Sequence, residues 1–75
     1  MNSIGEFEAR LAQGHALAPE LVGLDREAAL GLASGHGFDA EAIPPDAVAV
    51  NPDLSANRIR LKLDANDIVV QAWAG

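Results

Sequence analysis

The run Arg58-Ile59-Arg60-Leu61-Lys62-Leu63 alternates three cations with three aliphatic residues. The chain has only five Lys and Arg residues, so this run carries most of its positive charge. In a strand, alternate side chains share a face, which sets Arg58, Arg60 and Lys62 in a row about 7 Å apart. A guanidinium presents its N–H donors in a rigid fork, suited to pinning carbonyl oxygens or a carboxylate such as Asp53. Taken alone, the pattern favours a plainer reading, in which the cations are the solvated side of an amphipathic strand. Other constellations point to less. His15 and His36 lack companion ligands at zinc spacing, and Asp64-Ala65-Asn66-Asp67 is too short for an EF-hand calcium loop. Ser3, Ser34 and Ser55 have no readable histidine base, so no hydrolase triad is expected. The reading is of a protein that is not an enzyme and needs no metal or cofactor.

The elements that must position these residues follow from the pattern. Ile4, Phe7 and Leu11 recur at helical spacing, which predicts a short helix over 3–13 with Ser3 as cap and Gly14 as terminator. Residues 15–19 read as an Ala-rich linker closed by Pro19. Asp25 is placed to cap a second helix, whose apolar side is Ala28, Ala29, Leu32 and Ala33 and which ends at the Ser34-Gly35-His36-Gly37 cluster. Residues 38–43 alternate apolar with acidic residues and predict a half-buried strand stopped by Pro44-Pro45. Residues 46–57 form a connection of unusual length. The 58–63 strand follows, with its aliphatic face free to lie on the second helix. A tight turn at 64–67 and a partner strand over 68–73, where Trp73 reads as a packing residue, complete an α+β chain.

Size and composition bound the function. At 75 residues the chain is one small domain, and 49% hydrophobic residues make it globular. It has no cysteine, so disulfide staples and thiolate metal sites are excluded. A net charge of −6 is the wrong sign for binding phosphate backbones, and no nucleic-acid partner is expected. No segment approaches the ~20 apolar residues of a membrane span. Without a signal-like start, the default compartment is cytoplasmic, or secreted or periplasmic if a signal has been removed.

At this point the residues carry a resemblance. Pro19-Glu20-Leu21-Val22-Gly23 and the helix after it, Ile43-Pro44 before the long connection, Asp53-Leu54-Ser55-Ala56-Asn57-Arg58-Ile59-Arg60-Leu61 after it, and Gly75 together resemble the potato inhibitor I family, to which eglin and the barley chymotrypsin inhibitors belong. The resemblance covers residues 19–75 and leaves 1–18 as an N-terminal helical extension and linker. It implies one main helix on a small mixed β-sheet, and an exposed loop at about 46–57 that binds a serine protease, subtilisin- or chymotrypsin-like, as a substrate would. It further implies that Arg58 and Arg60 brace the loop, that Asp53 is the acidic residue after the scissile bond, and that Gly75 is the terminal glycine near the arginines.

The loop departs from the family pattern. It reads Ala47-Val48-Ala49-Val50-Asn51-Pro52-Asp53-Leu54, one residue longer than usual and without the threonine that helps hold such loops. Counting back from Arg58 places the reactive bond at Pro52–Asp53, counting forward from Pro44 places it at Asn51–Pro52, and splitting the gap gives Val50–Asn51. Proline, with fixed φ and no N–H, fits few serine proteases beside the scissile bond. The resemblance therefore implies an inhibitor that contacts its protease through Val50, Asn51, Pro52, Asp53 and Leu54. The rival reading is a non-inhibitory binding module of the same fold, using the altered loop or the N-terminal helix. The chain is expected to be a monomer, or a weak homo-oligomer paired through that helix.

Overall fold

A computed structural model of the chain describes residues 3–47 and 53–75. The elements run α1 (Ser3–Leu21), α2 (Arg26–Gly35), β1 (Asp39–Ile43), β2 (Arg58–Leu63) and β3 (Val69–Ala74). The alternation of 58–63 is realised as the central strand, parallel to β1 and antiparallel to β3 in the order β1-β2-β3. Its aliphatic side is the core: Ile59 and Leu61 are fully buried, and Leu63 nearly so. They meet Leu17 and Leu21 of α1, Ala29 and Ala33 of α2, and Phe38 and Val69. Both helices cover one face of a mixed three-stranded sheet, so the fold is α+β.

Local signals hold where they rest on short-range chemistry. The Asp25 side chain accepts from Ala28 N at 2.8 Å and caps α2. In the β2–β3 turn, Asp64 Oδ1 accepts from Asn66 N (2.8 Å) and Ile68 N (3.0 Å), while Asp67 takes the left-handed conformation at φ 61°. The partner strand starts one residue later than its pattern predicts, because Ile68 bridges to Asp25 instead.

The first helix corrects the sequence reading. It does not stop at Gly14, and no linker follows; it runs on to Leu21, 19 residues in all, with Pro19 inside it. Gly14 is buried where α1 crosses β3, and a Cβ there would lie 2.8 Å from the Ala74 Cβ and 3.3 Å from the Phe38 ring. The glycine is thus a point of close approach rather than a terminator. Pro19 removes one helical hydrogen bond and carries a penalty of about 3 kcal/mol. Leu17 and Leu21, on either side of it, are 6% and 0% exposed. Burying each contributes about 1.5–3 kcal/mol, enough to offset the proline. A second correction follows: α1 lies across β3 and β2, while α2 sits mainly over β1. The aliphatic face of β2 therefore lies under both helices, not α2 alone.

Candidate functional site

Because β1 and β2 are parallel neighbours, the chain must travel back along the sheet between Ile43 and Arg58. The register sets Asp39 beside Arg58, Glu41 beside Arg60, and Arg60 beside Trp73. These side chains occupy the sheet face turned away from the helices, and there the returning segment meets them.

Asp53 is the meeting point. Arg58 Nη2 donates to the Asp53 backbone oxygen at 2.9 Å and to Oδ1 at 3.1 Å, and Arg58 Nη1 reaches Oδ2 at 3.4 Å. Arg60 Nη2 donates to the same Oδ1 at 3.0 Å, while Arg60 Nε donates to Glu41 Oε1 at 3.2 Å. The Arg58 Nε lies 3.8 Å from that Glu41 oxygen. Two guanidinium groups thus face two carboxylates. Arg60 is 4% exposed, so its Nε and Nη2 donors are committed to the protein rather than to water. The solvated-face reading of the alternating cations fails for this residue. The hydrogen bond from Arg58 is the main cause that holds the Asp53 pKa below the ordinary aspartate value; desolvation opposes it, and the Arg58 and Arg60 charges and the Arg60 hydrogen bond add to the lowering.

Gly75 closes the other side. Its N–H donates to the Arg58 backbone oxygen at 3.0 Å, and its own oxygen accepts from Arg58 Nε at 2.8 Å. Its φ of +126° lies where side chains rarely go, and a Cβ would stand 2.9 Å from Leu54 Cδ1. Leu54, 59% exposed, is thereby set beside Gly75 while most of its surface faces solvent.

Of the residues singled out from sequence, the structure brings together Asp53, Leu54, Arg58, Arg60 and Gly75. Val50, Asn51 and Pro52 lie outside the described residues. Lys62, third in the cation row, sits beside Ile43 and Gln71, away from the Asp53 cluster. Glu41 belongs to the cluster, although the sequence pattern shows it only as part of an acidic alternation. Its signal was the shared parity of Asp39 and Glu41, which acquires meaning once β1 is known to lie parallel to β2.

Among the described residues, surface hollows lie elsewhere. One of about 520 Å³ is lined by Asp25, Arg26, Glu27, Leu30 and Asp67, and one of about 310 Å³ by Gln13, Ala16, Leu17, Glu20, His36 and Phe38. Neither includes a residue of the arginine cluster. Among the described residues, no group of three or more His, Asp or Glu is placed to hold a metal ion, and no helix is long and apolar enough to cross a membrane.

No family model and no curated protein matches the chain. Solved structures do. The crystal structure of bitter gourd trypsin inhibitor aligns with a TM-score of 0.67 at 23% identity, covering 77% of this chain and 88% of that one. The structure of the elastase inhibitor AFUEI aligns with a TM-score of 0.61 at 14% identity, covering 89% of this chain and 97% of that one. At these identities the likeness shows a shared fold. The chain is folded as those two protease inhibitors are.

Proposed function

We propose that this chain is a protein inhibitor of serine endopeptidases of the potato inhibitor I type, acting through residues 50–54. The observation that carries the reading is the convergence of Arg58 and Arg60 on Asp53. A segment bound to a protease as a substrate adds its main chain to the enzyme as an extra strand. A flexible segment would lose ordering entropy on binding and would be cut. One held in place beforehand avoids much of that loss. Here the arginines grip both the backbone oxygen and the side chain of Asp53, and Gly75 keeps Arg58 aimed, all without a disulfide. The fold shared with two named protease inhibitors supports the same reading.

A second reading is favoured by one observation, the proline at position 52. In it the same scaffold presents its loop to a different protein partner and does not inhibit proteases. Steady-state assays against subtilisin-like, chymotrypsin-like, trypsin-like and elastase-like enzymes separate the two. The inhibitor reading requires stoichiometric inhibition of at least one of them. Inhibition of none favours the second reading.

A further inference from the structure

Arg10 lies on α1, in the segment that the family resemblance leaves out. It is nonetheless one of the best-connected side chains among the described residues. Its guanidinium carbon stands 3.8 Å from the centroid of the Phe38 ring. Its Nη2 donates to the Gly37 oxygen at 2.6 Å and the His36 oxygen at 3.4 Å, and its Nη1 to Gln13 Oε1 at 3.0 Å. Those carbonyls follow the C-terminal end of α2, where a cation is favoured by the helix dipole. The remaining donor, Nε, reaches across the chain to Asn57 Oδ1 at 2.9 Å.

Asn57 is the last residue before β2, and its backbone oxygen accepts from Asp39 N at 2.8 Å. Its backbone is therefore fixed by the start of β1 and its side chain by α1. The short segment 53–57 is held at both ends, at Asp53 by Arg58 and Arg60 and at Asn57 by Arg10. The placement of Arg10 depends on Gly14, one turn further along α1, whose missing side chain lets the helix settle onto Ala74 and Phe38.

We infer that Arg10 is a positioning residue for the loop, a third arginine that acts through Asn57 and makes the N-terminal helix part of the loop's scaffold. This rests on the inhibitor reading for its purpose, but the brace itself has a readout that needs no protease. Native-state amide exchange is measured on the full chain and on the variants Arg10→Lys, Asn57→Ala and the pair. Lysine keeps a cation near Phe38 but has no fork to span Gly37 and Asn57, and Asn57→Ala leaves α1 intact.

Loss of one charge-assisted bond is expected to speed exchange at the Arg58 amide about tenfold in each single variant. The double variant is expected to be no faster than the singles, with the Ala29 and Leu61 amides at their parental rates. Unchanged exchange at Arg58, or equal acceleration throughout the protein, overturns the proposal. Against a protease that the parent chain inhibits, both singles should weaken inhibition by a similar factor. Unchanged inhibition despite faster exchange also overturns the role in loop positioning. Should the parent inhibit no protease, the inhibitor reading falls, and the exchange rates alone then decide whether Arg10 braces the segment.

Discussion

Replacing Arg60 with methionine isolates the contribution of the buried guanidinium. The methionine stem fills much of the volume of the arginine stem, so packing against the sheet is largely kept. What is lost is the pair of bonds from Nε to Glu41 and from Nη2 to Asp53. Hydrogen bonds to charged groups contribute about 1.5–3 kcal/mol each when enclosed. Here the acceptors are not enclosed: the Asp53 and Glu41 side chains are 55% and 44% exposed, so water replaces the lost donors. Solvent screening reduces the two together to about 1–2 kcal/mol. That corresponds to about a 5- to 30-fold fall in the ratio of molecules with the loop held to those with it released. The inhibition constant against a susceptible protease should rise by up to that factor, and the loop should be hydrolysed faster. Circular dichroism should show the fold unchanged. An inhibition constant within twofold of the parent's, with no faster hydrolysis, would refute the bracing role of Arg60.

The remaining predictions concern the scaffold. Because Asp53's folded-state pKa is depressed, its ionised form contributes stability above the ordinary unfolded value, and that contribution disappears as pH falls through the lower folded value. A carbon NMR titration should therefore show Asp53 titrating below an ordinary aspartate, with the brace intact at neutral pH; titration at or above the ordinary value sinks the argument. Gly14→Ala improves intrinsic helix propensity by about 1 kcal/mol, yet its Cβ would collide with Ala74. Overpacking of about 1–3 kcal/mol should win, giving a lower urea midpoint; a raised midpoint would show that α1 and β3 are not so close. Asp25→Ala removes the cap of α2 and should cost about 1 kcal/mol in urea unfolding. Gly75→Ala forces a side chain into a left-handed conformation against Leu54 and should both destabilise the fold and weaken inhibition, whereas a neutral result would detach Gly75 from the brace.

What could be read from sequence divides along the range of the interactions involved. The β2 alternation, the Asp25 cap and the 64–67 turn depend on neighbours a few residues away, and all three stand in the structure. Gly14 and Pro19 misled because their helix-breaking character is local, while the forces that override it come from Ala74, Phe38 and the buried Leu17 and Leu21. The spacing of Arg58 and Arg60 and the fork of a guanidinium offer Asp53 as a partner, but the local pattern alone favours solvent, and the family resemblance tips the reading toward the loop. Glu41 required the β1–β2 register. Arg10 required still more, since its partner Asn57 lies 47 residues away, and nothing in the local pattern around Arg10 signals that contact.

The most direct test of the account follows the fate of the loop in a long incubation with an inhibited protease, with mass spectrometry locating every cut. The account predicts one slowly cleaved bond between residues 50 and 54, with the rest of the chain intact and inhibition persisting. Rapid cleavage at several bonds across 46–57, with inhibition lost as the cuts appear, would contradict it.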